Sequence, residues 1–384
     1  MKYDDILHRC FRCGYCKLTD DYEDFNCPPY RKYRFESFSP GGRMWLIRAW
    51  QQGDIQITER FQKILYSCTM CANCVEHCIF PFSDDLANIF IAAREAVTEE
   101  GIIPPTVRDY LKSIHAYGNP YKEPAELRGA WADGSPVPVY DGHEYLLYIG
   151  CVGSYDERGQ LIARAVANIL CKIDVTFGIL GEEEICDGNE VRALGETWLF
   201  DRLARKNIER FKARNIKKII TLDPHAYNTF AGDYKNLGAD IEVHHYTQIL
   251  ADRMDSLIPS LKECTATVTY HDPCYLGRHN GLYEEPRSIL AALPGITLVD
   301  MASNRRNALC CGGGGGNFFS DVLGGGRESP AKIRIDQALD TGARIIAVAC
   351  PQCAKMLEDA IKAEDREDRL EVADIAEIIE RCLG

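Results

Sequence analysis

The stretch CTMCANCVEHC, residues 68–78, follows a similar stretch, CFRCGYC, at residues 10–16. Each places three cysteines in CxxCxxC spacing, which brings three thiolates around one tight loop. Such a loop suits three corners of a cubic iron–sulfur cluster, whose fourth ligand comes from elsewhere in the chain. A single CxxC is ambiguous among zinc binding, thiol redox chemistry and no function. Two CxxCxxC runs indicate two clusters and make electron transfer the first hypothesis.

The fourth ligand of each cluster must come from the cysteines near these runs, and Cys27 and Cys78 are the candidates. In ferredoxins with two clusters, the fourth cysteine of each run binds the other cluster. By that rule one cubane [4Fe–4S] cluster is predicted to bind Cys10, Cys13, Cys16 and Cys78, and the other to bind Cys68, Cys71, Cys74 and Cys27. Two zinc sites are the disfavoured alternative, because structural zinc usually pairs two CxxC units without a third cysteine in the run.

The residues around these runs predict a small N-terminal domain, 1–118, that is mostly helical and ferredoxin-like. It contains GRMWLIRAWQQGD and DDLANIFIAAREAVTEEG, whose apolar residues recur at helical spacing. Residues 119–142 are rich in Pro, Gly and Ala. They are predicted to form a linker or a loop that wraps around the next domain.

From Tyr145 onward, short apolar runs alternate with amphipathic stretches, which predicts parallel sheets with crossover helices. The predicted strands are 145–150, 174–180, 217–222, 241–246, 266–271, 296–301 and 344–349. The predicted helices are 158–172, 190–213, 329–341 and 353–364. A weak internal repeat relates IGCVGSYDER to YHDPCYLGRH. The predicted fold class is therefore α/β, with the N-terminal α-helical domain followed by two repeated α/β domains at 143–262 and 263–384.

The C-terminal half carries a second constellation of cysteines, formed by Cys274, Cys310, Cys311, Cys350 and Cys353. Cys350 and Cys353 stand at the carboxyl end of a predicted strand, where ligands bind in open α/β sheets. The five glycines 312–316 let the backbone approach a bulky inorganic group closely. They do not indicate a dinucleotide site, because no strand leads directly into them and no G-x-G-x-x-G pattern follows. Burial as small apolar side chains is the less favoured interpretation of these cysteines.

A cysteine, then CCG, then CPxC resembles the CCG domain of the heterodisulfide reductase family, and HDPCYLGRHNG and CCGGGGG are especially similar to it. With the two ferredoxin runs in front, the whole chain resembles the membrane-associated D-type subunit of that family. The resemblance implies that both α/β domains are Rossmann-like CCG domains. It also implies that Cys274, Cys310, Cys311, Cys350 and Cys353 bind a noncubane [4Fe–4S] cluster. In the family such clusters can cleave a disulfide, a two-electron reaction that two cubanes can feed one electron at a time.

The first CCG domain departs from the family pattern. Cys151 and Cys186 stand where the family has cysteines, but Asp187, Asp223 and Ala226 stand where it has others. Two cysteines of five cannot hold the noncubane cluster. Three interpretations remain open: a structural domain with leftover cysteines, a docking surface for a partner, or a mononuclear ion such as zinc. The ion would be held by Cys151 and Cys186 with Asp223 or His225.

Composition limits the kinds of partner that this protein can bind and indicates the cellular compartment in which it lies. The 384 residues include 18 cysteines and carry a net charge of −13, which argues against nucleic acid as a partner. The start shows no secretory signal pattern, and no apolar run reaches the ~18 residues of a membrane span. We therefore expect a cytoplasmic protein with reduced thiols, attached to a membrane only through a partner. Cys171, Cys264 and Cys382 match no motif, and Cys171 is expected in the core.

The leading hypothesis is an electron-transferring oxidoreductase subunit with two cubanes and one noncubane cluster that reduces a disulfide or serves a partner. The alternative is a non-catalytic wiring subunit of a larger anaerobic redox complex, such as an acyl thioester reductase or a flavoprotein- or quinone-linked dehydrogenase. A zinc-binding scaffold is a third class. No flavin, nicotinamide or haem motif is visible. The expected partners are therefore other redox subunits in a hetero-oligomer: a flavoprotein, a ferredoxin or a quinone-linked membrane subunit. No residue is assigned a catalytic role.

Overall fold

A computed structural model describes residues 3–383 of the chain, so the outermost residues of the predicted first and last domains, Met1, Lys2 and Gly384, lie outside it. The N-terminal module is helical. Its helices are α1 (Asp4–Leu7), α2 (Pro28–Tyr33), α3 (Pro40–Gln51), α4 (Glu59–Tyr66), α5 (Asn73–His77), α6 (Leu86–Glu99) and α7 (Pro105–Tyr117). The Ser39 and Thr58 side chains accept hydrogen bonds from the first turns of α3 and α4 and so fix where these helices begin.

Two α/β units follow the N-terminal module. The first α/β unit contains β1 (Tyr145–Tyr148), α8 (Gly150–Tyr155), α9 (Glu157–Lys172), β2 (Phe177–Gly178), α10 (Asn189–Ala193), α11 (Thr197–Ala213), β3 (Lys218–Thr221), α12 (Pro224–Asn228), β4 (Glu242–His245) and α13 (Tyr246–Leu257). The second α/β unit contains β5 (Ala266–Tyr270), α14 (Glu284–Ala292), β6 (Ile296–Leu298), α15 (Asn317–Ser320), α16 (Pro330–Asp340), β7 (Ile345–Val348), α17 (Pro351–Ala363), β8 (Glu371–Asp374) and α18 (Ile375–Leu383).

The two units repeat one topology. The sheet order is β2-β1-β3-β4 in the first and β6-β5-β7-β8 in the second, and all paired strands are parallel. In register, Leu146 on β1 lies beside Ile219 on β3, and Val268 on β5 lies beside Ile345 on β7. The predicted fold class, a helical N-terminal part followed by two repeated α/β parts with parallel sheets, is confirmed.

Several local predictions need correction. The predicted helix 190–213 is two helices, because Gly195 with φ +87° breaks it between α10 and α11. Strand β8 was not predicted, since its four residues merge with the apolar pattern of α18. Cys171, expected in the core, is exposed on α9, because its position faces away from the buried stripe of that helix.

Apolar cores join the three parts of the chain. One core is shared by the two α/β units and includes Ile162 and Val268. A second core joins the N-terminal module to the first α/β unit and includes Phe90 and Leu194. This packing places the loops at the carboxyl ends of the strands against the N-terminal module.

Residues 119–142, predicted as a linker or wrapping loop, lie against the first α/β unit. Their 3₁₀ helix Ala125–Ala132 buries Trp131, which is 1% exposed. A β-bridge between Val139 and Ile179 fastens the end of the segment to the same unit. The segment thereby carries the Arg128 guanidinium into the protein interior.

Candidate iron–sulfur sites

The thirteen cysteines predicted as ligands lie in three groups. The front group is Cys10, Cys13, Cys16 and Cys78; the middle group is Cys27, Cys68, Cys71 and Cys74; the rear group is Cys274, Cys310, Cys311, Cys350 and Cys353. The groups differ in exposure: the front group reaches the surface at Cys13, whereas every cysteine of the rear group is buried. Burial of the sulfur atoms thus increases from front to rear.

The front group brings the first CxxCxxC loop close to the end of α5. Burial raises the pKa of the Cys78 thiol, and the nearby Cys13 and Cys10 sulfurs raise it further. Burial also raises the pKa of Cys16, with contributions from Cys27 and Cys78. Cys78, from the second run, therefore lies with the cysteines of the first.

The middle group surrounds a cavity at the start of α2 and the loop before α5. Cys27, Cys68, Cys71 and Cys74 all line this cavity. Burial raises the pKa of Cys27 to about 12, Arg43 opposes that rise, and the Cys71 and Cys68 sulfurs add to it. Cys27, which precedes Pro28 at the first turn of α2, thus lies with the cysteines of the second run.

The rear group is compact and lies at the carboxyl ends of β5 and β7. The Sγ atoms of Cys274 and Cys310 are 3.7 Å apart, and those of Cys311 and Cys353 are 3.4 Å apart. Cys350 caps α17 and accepts a hydrogen bond from the Cys353 amide at 3.4 Å. Burial alone would raise the pKa of Cys350, but interactions with Cys353 and His225 lower it to about 5. The five sulfur side chains therefore lie close together in the protein interior.

The glycine run after Cys311 allows the middle and rear groups to meet. Gly312 has φ +99° and Gly315 has φ +63°, conformations that side chains disfavour. A Cβ atom on Gly314 would lie 2.5 Å from the Thr69 carbonyl oxygen. The run therefore lies directly on the backbone of the second CxxCxxC loop.

The middle and rear groups meet at Cys71. Cys71 belongs to the same buried cluster as the five rear cysteines and Tyr275. Its direct interaction with the Cys310 thiol, together with burial, raises the pKa of Cys71 well above the ordinary value. Ligands of the two predicted clusters are thus in contact across the interface between the N-terminal module and the second α/β unit.

Buried nitrogen atoms without hydrogen-bond partners test whether these residues fit clusters. Arg43 Nη1 and Nη2, Arg278 Nη2 and His271 Nε2 are all buried and unbonded. Arg43 lines the cavity of the middle group, and a ring nitrogen of His271 lies within 4.8 Å of the Cys311 and Cys353 sulfurs. Buried donors are normally satisfied. Thiolates and sulfides of iron–sulfur clusters accept hydrogen bonds, so these residues fit such groups.

The first α/β unit contributes side chains to the rear group. Asp223 and His225, in the turn before and within α12, have ligand atoms within 4.8 Å of the Cys350 sulfur. His225 Nδ1 lies 2.6 Å from a Glu190 carboxylate oxygen. Although burial opposes it, the Glu190 carboxylate raises the pKa of His225. Glu190 also accepts a hydrogen bond from the Gly316 amide, so it ties α10 to the glycine run.

The two remaining cysteines of the first unit have a different neighbour. Arg128 Nη2 lies 3.4 Å from the Cys151 Sγ atom, and Arg128 also pairs with Glu184 at 3.2 Å. Interaction with Cys186 and the charge of Arg128 lower the pKa of Cys151 although burial opposes it. Within residues 3–383, Asp223 and His225 form a close set of ligand atoms with Cys350 rather than with Cys151 and Cys186. All four residues of the zinc hypothesis nevertheless line one cavity, so that hypothesis stays a prediction.

Sequence reasoning missed the buried polar and charged residues that surround the cysteines, namely Arg43, Arg94, Arg128, Glu190, His271 and Arg278. His271 and Arg278 stand in the HDPCYLGRHNG segment, so their closeness to Cys274 was a usable signal. Arg43 and Arg128 lie far from any motif, and only the tertiary structure brings them to the sulfurs. In residues 3–383, the structure contains no helix long and apolar enough to cross a bilayer.

Comparison with known proteins agrees with this geometry. The 4Fe-4S dicluster domain family matches residues 6–80, and the cysteine-rich CCG domain family matches residues 145–231 and 268–358. The probable iron-sulfur-binding oxidoreductase FadF of Bacillus subtilis is 37% identical over 85% of this chain and 47% of its own length. The EtfAB:quinone oxidoreductase of Syntrophomonas wolfei is 34% identical over 98% of this chain and 58% of its own. The chain thus spans about half the length of these two relatives.

A third relative matches along nearly its whole length. The D-type subunit of the dihydromethanophenazine:CoB–CoM heterodisulfide reductase of Methanosarcina barkeri is 30% identical over 98% of this chain and 94% of its own. The predicted resemblance is therefore confirmed, and the matched domains identify this chain as an iron–sulfur protein. This chain therefore belongs to the family of D-type heterodisulfide reductase subunits.

Proposed function

We propose that this chain passes electrons from a partner redox protein through two cubane clusters, held by the front and middle groups, to a noncubane cluster held by the rear group. The packing of Cys71 against the rear cysteines carries this proposal, because it joins predicted ligands of the middle and rear groups. When bound, the clusters supply one-electron transfer and, at the rear group, an iron site for a substrate sulfur. The exposed Cys13 places the front group where a partner can approach.

The reaction that we propose at the rear group is reduction of a disulfide to two thiols, which consumes two electrons and two protons. The electrons come one at a time from the partner, a flavoprotein, a ferredoxin or a quinone-linked membrane subunit. The chain's own residues hold the site dry: every rear cysteine is at most 6% exposed. The relatives named as quinone oxidoreductase and heterodisulfide reductase support such a place in a larger redox complex.

Metal analysis and a dye assay test the proposal. Anaerobically purified protein should hold about twelve irons in three four-iron centres. The Cys311→Ala variant should lose about a third of them, keep both ferredoxin-type EPR signals, and lose turnover of a small disulfide with reduced viologen dye. A Cys264→Ala variant, outside the three groups, should match the wild type. Zinc without iron in protein kept strictly anaerobic would refute the assignment.

One observation favours the alternative function of a wiring subunit. The first α/β unit has aspartates and an alanine where further ligands would stand, so only one noncubane site is complete. A wiring subunit would oxidise a reduced partner and pass the electrons to a second partner without turning over any disulfide. The dye assay distinguishes the two functions, because a wiring subunit shows cluster reduction without disulfide-dependent dye oxidation.

A further inference from the structure

Arg43 is a buried cation aimed at the middle group. It is 1% exposed, and its Nε atom donates to the Ile64 carbonyl at 2.9 Å. Its Nη1 and Nη2 atoms have no partner, although the side chain lines the cavity formed with Cys27, Cys68, Cys71 and Cys74. Two charged donors therefore face the position where the second cubane is proposed to sit.

Arg278 approaches the same group from the second α/β unit. It is 7% exposed; Nε donates to the Cys71 carbonyl at 2.6 Å, and Nη1 donates to the Ala308 carbonyl at 2.6 Å. Its Nη2 atom is buried and unbonded. Arg94 is fully buried, and its Nη2 atom donates to the Cys68 carbonyl at 2.6 Å. Three guanidiniums thus surround one group of four cysteines.

These three charges lack carboxylate partners. In the part of the chain that the structure describes, no carboxylate lies within 4.0 Å of Arg43, Arg94 or Arg278. Buried charges are normally paired or bound to an ionic group. A four-iron cluster with four thiolates is an anion, and it becomes more negative when it is reduced, so it can supply the missing charge.

The front group has a different electrostatic setting. Arg12 acts on Cys10, but both Arg12 and Cys13 are exposed to solvent. Water screens such a charge far more than the protein interior screens a buried one. The stabilising effect of arginine on a reduced cluster is therefore concentrated at the middle group.

Resting on the proposed function, we propose that Arg43, Arg94 and Arg278 make the cluster of the middle group the more easily reduced of the two cubanes. Buried positive charge and N–H donors stabilise the reduced, more negative state of a cluster more than the oxidised state. Electrons that enter at the front group therefore settle beside Cys310, next to the rear group. The arginines thus raise the reduction potential of the middle cubane relative to that of the front cubane.

An anaerobic redox titration followed by EPR tests this proposal. In Arg43→Met we expect the ratio of reduced to oxidised middle cubane, at the wild-type midpoint, to fall about tenfold, which is 59 mV for a one-electron couple. Arg43→Lys retains the charge and should stay near the wild-type midpoint. The front cubane, identified through a Cys13→Ser variant, should not move in either protein.

The matched control is Arg334→Met, since Arg334 is equally buried but binds His271 and the Ser303 carbonyl instead of the middle group. It should leave both cubane midpoints unchanged. If Arg43→Met does not retain its iron, Arg278→Met carries the test from the opposite side, with the same expected direction. An unmoved middle midpoint in a fully loaded variant, or equal shifts of both cubanes, would overturn the proposal. Wild-type protein without two cubane signals would instead refute the proposed function on which it rests.

Discussion

Replacing Gly314 with alanine should separate the middle and rear cysteine groups. The added Cβ atom would lie 2.5 Å from the Thr69 carbonyl oxygen, about 0.9 Å short of the 3.4 Å at which ordinary van der Waals contact begins. The obstacle is backbone of the second CxxCxxC loop, so no side-chain rotation can relieve it. The glycine run or the cysteine loop must move by most of that distance, and overpacking of this kind costs about 1–3 kcal/mol.

Two measurements should register that movement. Thermal unfolding of anaerobic holoprotein should show a lower Tm for Gly314→Ala, and stopped-flow mixing with reduced dye should show slower reduction of the rear cluster relative to the cubanes. Gly325→Ala is the matched control, because the same added atom there meets nothing within 4 Å. Wild-type Tm and wild-type kinetics in Gly314→Ala would show that the contact between Cys71 and Cys310 does not depend on this close approach.

Further perturbations address stability, charge and exposure. Arg94 donates hydrogen bonds to four carbonyl oxygens and so joins all three parts of the chain; Arg94→Ala leaves these oxygens without their donor. In urea titrations the free energy of unfolding should therefore fall by about 3 kcal/mol. The control Arg205→Ala, at an exposed position, should change it by less than about 0.5 kcal/mol. Burial raises the pKa of Asp374, which bonds Tyr246, from 3.8 to about 7. Between those pH values only the native state retains the proton on Asp374, so stability should fall as pH rises through that window, and Asp374→Asn should make this slope shallower. Cys171 should react with a maleimide in native holoprotein, and mass spectrometry should show one label fewer in Cys171→Ser.

The sequence predicted those features that depend on local pattern. Alternation of apolar strands with amphipathic helices was enough to identify two parallel α/β units, because the central strands β1 and β7 are buried on both faces and the helices bury one face. The pattern was insufficient where the signal was short or ambiguous. Strand β8 and helix α18 share one apolar run, and the break at Gly195 follows from the backbone of Arg94, 2.4 Å from where a side chain would start.

The candidate site shows the same division between local and distant information. Spacing predicted the eight N-terminal cysteine ligands, and the family resemblance implied the five rear ones. The structure places these cysteines in three groups, although their ligation stays a prediction. Spacing carried no information about Arg43 or Arg128, because these residues reach the sulfurs only through tertiary packing. It also misplaced Cys171, since an apolar helix sequence does not say which residues face solvent when one face is broad.

The first cysteine-rich domain has a structural reason to persist without a complete ligand set. In the second domain, Cys350 and Cys353 occupy the turn after β7; in the first domain, the corresponding turn after β3 carries Asp223 and His225. That turn faces the rear group, and both side chains lie within 4.8 Å of the Cys350 sulfur. Glu190 forms a hydrogen bond with His225 and also accepts one from the Gly316 amide. It therefore links the position of the glycine run to that of the turn after β3. The degenerate domain thus forms one side of the rear site. Its Asp223 and His225 lie beside Cys350, whereas cysteines in the same turn would bind a metal in the first domain itself.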